Sequence, residues 1–160
     1  MRLTQYTDYS LRVLLYLSAS PGRRSNISEI AKIYGISKSH LMKVVQNLAA
    51  KGLVRSTRGR HGGLYHNAET ENFTLGEVVR MCEPNFNIVE CMDGVPGKCP
   101  IDSTCYLKSV LRNAMRKFME ELDCYTMGEI ARNPQQLQQL LKINPVPEKG
   151  SPGPRSFPVI

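Results

Sequence analysis

No apolar run in this chain is long enough to cross a bilayer, so a membrane-spanning helix is excluded. The opening residues Met1 to Asp8 lack the apolar core of a secretory signal, and the expectation is a protein kept in the reducing cytoplasm. No phosphate-cradling G-x-x-x-x-G-K loop occurs. His40, His61 and His66 lie remote in sequence from any carboxylate pair, no nucleophile stands beside a base, and the chain is not expected to be an enzyme. Paired C-x2-4-C ligands are missing as well, which counts against structural zinc. Acids are outnumbered, 14 against 21 Lys and Arg, leaving a net charge of +7. A surplus of that size suits a polyanionic partner such as nucleic acid.

What is present is 160 residues, 41% of them hydrophobic, enough for one compact domain or one domain with an appendage. Apolar residues from Thr4 to Ala19 predict a buried helix, closed by Ser20-Pro21-Gly22. Asn26 with Glu29 three positions on opens a second helix that stops at Gly35. Ser37 then caps a third, whose Leu41, Val44, Val45 and Leu48 form an inward stripe. Its other face offers Lys38, Ser39, His40, Lys43 and Asn47. Two helices joined by a tight glycine turn make a helix-turn-helix. Leu53–Thr57 and Leu64–His66 read as short strands around the basic loop Arg58-Gly59-Arg60-His61-Gly62-Gly63. Between Lys51 and Gly63 stand four Lys and Arg and no acid. The first 82 residues thus predict a winged helix-turn-helix domain with Ser37, Lys38, Ser39, His40, Lys43, Arg58, Arg60 and His61 facing double-stranded DNA. A solvated polar face is the plainer reading of the helix alone; the glycine-flanked basic wing tips the balance.

Thr74-Leu75-Gly76-Glu77 is a capping box for a short helix to about Cys82. Residues 83–106 form an irregular loop holding Cys91-x7-Cys99-Pro100-x4-Cys105. Three thiols within so short a loop can converge on one metal centre, and iron–sulfur clusters tolerate such spacing. Cys82 and Cys124, in helical surroundings, read as buried structural thiols, and His66 as a strand surface residue. From Cys105 to Leu122 a long helix carries Leu107, Val110, Leu111, Ala114, Phe118 and Leu122 on one face, which suggests packing against a second copy. Two short helical turns complete a segment 105–142. Residues 143–160 form a proline-rich tail expected to be disordered. The fold class is therefore mainly α with a small β-hairpin: a winged helix plus a long dimerisation helix.

Met1-Arg2-Leu3-Thr4, Thr7-Asp8-Tyr9, the Arg58–Gly63 wing, Leu75-Gly76-Glu77-Val78-Val79-Arg80 and the cysteine loop together resemble the winged-helix iron–sulfur transcriptional repressors of the NsrR, IscR and RirA type. The likeness covers about Met1 to Leu141. His40-Leu41-Met42-Lys43-Val44-Val45 and Leu122-Asp123-x-Tyr125-Thr126 bring it nearest the nitric-oxide-sensitive branch. The resemblance implies a homodimer on a palindromic operator, with an iron–sulfur cluster on Cys91, Cys99 and Cys105 and Asp8 of the other subunit as fourth ligand. A [4Fe-4S] cluster is favoured over [2Fe-2S], and nitric oxide is the implied effector. Lys108 stands where the cluster-assembly regulators carry a histidine ligand, which disfavours their mode of ligation. Iron-responsive or general redox regulation is the alternative. A small iron–sulfur redox protein, for which the basic wing would have no purpose, and a zinc-stabilised interaction module, which would be colourless as purified, are the rivals from other classes.

Overall fold

A computed structural model describes residues 2–57, 59, 62–95 and 99–144. Helix α1 (Gln5–Ser18) starts where the Thr4 hydroxyl accepts the Thr7 N–H. It drives Val13, Leu14, Tyr16 and Leu17 into the core. Helix α2 (Ile27–Tyr34) is capped by the Asn26 side chain on the Glu29 N–H and ended by Gly35 at φ 64°, a left-handed position that favours glycine. Ser37 caps α3 (Lys38–Ala50) through the His40 N–H at 3.2 Å. The foreseen stripe Leu41, Val44, Val45 and Leu48 is buried against α1 and α2. Strands β1 (Val54–Thr57) and β2 (Gly63–His66) pair antiparallel, Val54 opposite His66 and Thr57 opposite Gly63. A bridge between Ser25 and Leu64, with bonds of 2.9 and 2.8 Å, ties this hairpin to the α1–α2 connection.

Beyond the hairpin the Thr70 hydroxyl, buried in a 3-10 turn over Ala68–Asn72, donates to Leu53 C=O at 2.8 Å. Helix α4 (Leu75–Cys82) has the expected capping box, Thr74 with Glu77. The cysteine loop is irregular apart from 3-10 turns at Glu90–Met92 and Asp102–Thr104. Then come α5 (Tyr106–Asp123), α6 (Met127–Ile130) with a second capping box, and α7 (Pro134–Leu140). Of the 18 residues of α5 only Met119 is buried, and Leu107 is 64% exposed. Of the face that the sequence assigned to a partner, Leu107, Val110 and Ala114 are exposed in the single chain, and Leu111, Phe118 and Leu122 are half-buried.

Three expectations are corrected. Cys124 is exposed rather than buried, because it caps the outer end of α5. His66 is turned inward, its side chain only 7% exposed and Nε2 3.4 Å from Glu71; burial lowers its pKa, partly opposed by the Glu71 charge. Ile143, assigned to the tail, is buried in the core, because α7 returns the chain inward and Ile143 N–H bonds Gln138 C=O at 2.9 Å. Residues 145–160 lie outside the described residues.

Two polar clusters brace this architecture. Arg23 donates to the fully buried Tyr16 hydroxyl at 3.0 Å, to Ser25 at 3.2 Å and to Glu29 at 2.6 Å. Arg80 forms a two-pronged bond to Asp123, 2.6 Å on each arm, and the Thr74 hydroxyl adds a third contact to Asp123 at 3.2 Å. Gly76 leaves room for that carboxylate; a Cβ there would come within 2.0 Å of Asp123 Oδ1. The capping-box helix is thereby bolted to the far end of α5.

Burial raises the Glu29 pKa, but bonds from Arg23 and Tyr16 and the Arg23 charge outweigh it, so the net shift is downward. A carboxylate depressed in the folded state stabilises it above its unfolded pKa, and that contribution is lost as pH falls through the folded value. Arg23→Ala should therefore cost about 2 kcal/mol in urea unfolding at neutral pH, with the deficit narrowing as pH falls below the ordinary glutamate range and Glu29 protonates. Gly76→Ala should cost about 1–3 kcal/mol by expelling Asp123. Adding Asp123→Ala to it should cost much less than the sum of the single effects, since both remove one contact set; additive losses would contradict the bolt.

Candidate functional site

The outer face of α3 presents Lys38, Ser39, His40 and Lys43, all exposed, with Ser37 at the cap. Because that cap satisfies the His40 N–H, the first turn of the helix is held firm at the surface a duplex would meet. Tyr9 of α1 lies against His40, ring centroids 6.5 Å apart, so α3 is braced from the element that also carries Asp8. In the wing, Gly59 adopts φ 102° and Gly62 N–H bonds Gly59 C=O at 2.8 Å, a tight reversal for which glycine is suited. Arg58, Arg60 and His61 lie outside the described residues. Arg55 on β1 is exposed and adds a cation to the hairpin; its place in the acid-free stretch from Lys51 to Gly63 was the available signal.

Asp8 sits in the first turn of α1 and is engaged on both oxygens by Arg12, Nε at 3.0 Å and a terminal nitrogen at 2.9 Å. Arg12 in turn lies over the Tyr34 ring, 5.6 Å from its centroid. Sequence reading missed Arg12, although its spacing of four from Asp8 on a helix predicts such a pair. Asp8, Arg2, Arg12, Tyr34 and Gly35 line an open cleft of about 520 Å³ on the domain surface.

Cys91 lies in the Glu90–Met92 turn, Cys99 precedes the Asp102–Thr104 turn, and Cys105 caps α5, its Sγ accepting the Lys108 N–H at 3.4 Å. All three thiols are half-buried and free, and none is locked into a disulfide. Among the described residues, no three ligating side chains are gathered into one group; residues 96–98, between Cys91 and Cys99, lie outside the described set. Asp8, also in this chain, is not brought to the cysteines. The donor set itself suits iron and sulfide: three thiols on one loop, one of them aimed at by the amides opening a long helix, where negative charge is favoured. Cys82 contrasts with them. Burial pushes its thiol pKa up against a lowering bond from Ser10, which keeps it protonated and makes it a core residue.

Comparison with known proteins decides what this combination of winged helix and cysteine loop belongs to. Residues 3–133 match the Rrf2 model, described as an iron-dependent transcriptional regulator. The chain belongs to the Rrf2 family. It is 47% identical over 144 residues to the HTH-type transcriptional regulator NsrR of Bacillus subtilis, covering 89% of this chain and 99% of that one. It is 40% identical over 146 residues to the protein of the same name from Halalkalibacterium halodurans, with 91% and 100% covered. Among solved structures it resembles CymR, the global cysteine regulator of B. subtilis, at TM-score 0.63 and 23% identity, covering 82% of this chain and 97% of that one. T. potens IscR matches with TM-score 0.63, 20% identity and 86% and 91% covered. These last two establish the fold. As an Rrf2 protein the chain is a DNA-binding transcriptional regulator and not an enzyme.

If Lys43 meets a phosphate, Lys43→Ala should weaken binding to every duplex alike and reduce the slope of log affinity against log salt by about one. Fluorescence anisotropy over a salt series measures this; an unchanged slope would remove Lys43 from the interface.

Proposed function

We propose that this Rrf2 protein is a homodimeric repressor that senses nitric oxide through an iron–sulfur cluster, cluster damage releasing it from a palindromic operator. The observation that carries the reading is the free, half-buried trio Cys91, Cys99 and Cys105 ahead of a long helix with one face open, in a chain 40–47% identical to NsrR-named relatives along nearly its whole length. The three cysteines of one subunit and Asp8 of the other would hold the cluster, [4Fe-4S] in preference to [2Fe-2S]. When bound, the cluster supplies iron that takes nitric oxide as a ligand.

The rest is the work of this chain. The open face of α5 meets its counterpart in the second copy, which sets two recognition helices at half-sites about one helical turn apart. Ser37, Lys38, Ser39, His40 and Lys43 of α3 face the major groove, and Arg58, Arg60 and His61 of the wing reach the minor groove. Asp8, held by Arg12 in the single chain, would be the carboxylate offered to the partner's cluster, and Tyr9 next to it ties α1 to His40. A change in how Asp8 is held would bear on that brace. Tenfold weaker operator binding requires only about 1.4 kcal/mol of such coupling. Iron-responsive regulation is the second reading, favoured by the description of the matching family as iron-dependent.

Oxygen-free purification should give a coloured protein containing iron and sulfide, and binding to a palindrome obtained by in vitro selection should fall at least tenfold on adding nitric oxide. Cys99→Ser should be colourless and indifferent to the gas. Binding that survives nitric oxide but is lost on iron chelation would replace the gas-sensing reading with the iron-sensing one. A colourless parent protein would overturn both.

A further inference from the structure

Asp102 and Lys108 stand on either side of Cys105 and join it to Cys99. The Asp102 N–H donates to Cys99 C=O at 3.1 Å. The Asp102 carboxylate accepts from Lys108 Nζ in a short ion pair. The Lys108 N–H closes the path by donating to Cys105 Sγ at 3.4 Å. One continuous run of bonds thus connects the backbone of one thiol-bearing residue to the sulfur of the next, across the 3-10 turn Asp102–Thr104.

This pair is unlike the chain's surface ion pairs. The Lys108 and Asp102 side chains are 17% and 28% exposed, against 42% and 44% for Arg12 and Asp8 and 56% and 47% for Arg116 and Glu120. Its burial matches that of Arg23 and Glu29, at 18% and 27%, which brace the core. Yet it joins the Asp102–Thr104 turn to the first turn of α5, where Ser103 and Thr104 are exposed and Cys105 is half-buried. An ion pair so shielded holds two backbone positions together, and the N–H groups of those same two residues bond Cys99 C=O and Cys105 Sγ.

We propose that Asp102 and Lys108 are positioning residues of the cluster site, fixing Cys99 and Cys105 relative to one another before iron and sulfide arrive. The role rests on the iron–sulfur reading above. Lys108 does not ligate: its ammonium is engaged by Asp102, and its contribution is to hold the turn that presents two of the three sulfurs. Partners of this kind behind metal ligands commonly change metal retention by 10- to 100-fold.

The test uses the full chain in two states. In cluster-free protein, amide exchange at Asp102 and Lys108 should speed up about fivefold in both Lys108→Met and Asp102→Asn, with remote core amides unchanged. In reconstituted protein, release of iron to a ferrous chelator should be about tenfold faster in both variants, while Lys108→Arg, which keeps the charge and the bond, should stay near the parent. Asp102→Asn retains the backbone turn and reports independently should Lys108→Met fail to fold. If the parent takes up no iron and sulfide, the cluster reading falls and this role with it. If the parent assembles its cluster and both variants match it in exchange and iron release, the positioning role alone is overturned.

Discussion

The grip of Arg80 and Thr74 on Asp123 is the constraint on which the rest of the molecule depends. Helix α5 fully buries only Met119, with Leu111, Met115, Phe118 and Leu122 half-buried along it. What fixes it is attachment near its C-terminal end: the two-pronged Arg80 contact, the Thr74 hydroxyl, Met119, and backbone bonds from Leu75 to Tyr125 and from Met127 to Phe73, at 2.8 and 2.9 Å. From that anchor the helix projects about 27 Å at the usual rise per residue, and Cys105 stands at the free end. Anything that ties down the cysteine loop therefore acts at the tip of a lever whose fulcrum is part of the DNA-binding domain.

At the other end of the proposed pathway the energetic balance is gentle. Asp8 and Arg12 are each more than two-fifths exposed, and exposed ion pairs of this sort contribute about 0–1 kcal/mol. On the proposed reading, exchanging Arg12 for a position at the cluster would therefore cost little and be readily reversed. The Arg23–Tyr16–Glu29 cluster, by contrast, is far less exposed. Their different exposure to water is what separates the two polar contact sets.

Much of this was legible in the sequence because the deciding signals are local. Asn26, Ser37, Thr74 and Thr126 cap their helices by bonds spanning three residues, and Leu41, Val44, Val45 and Leu48 share a face through the helical repeat alone. What escaped depends on contacts between distant segments. His66 reads as a surface strand residue until Glu71 and the inner side of the hairpin enclose it, and Ile143 reads as tail until α7 turns it inward. Gly76 carries no local signal of its purpose, since the atom that needs its space belongs to a residue 47 positions away. The exposed polar face of α3, with Lys38, Ser39, His40 and Lys43, was recognisable by the helical repeat. The chain from Cys99 to Cys105 was not, because it depends on a side chain folding back over a turn.

That chain also bears on how three thiols could assemble a centre in a loop without a core beneath it. A free loop would have to order its ligands at the moment of binding, and the entropy lost would subtract from metal affinity. Here two of the three are already related through Asp102 and Lys108, so in the proposed dimer the remaining ordering would fall on Cys91 and on the second subunit. Such a division would make the interface between copies, rather than the loop alone, the place where assembly is completed. It also gives a reason for the open face of α5 and the proposed ligand Asp8 to act together: closing the pair of helices brings a carboxylate to sulfurs that the chain has half arranged in advance.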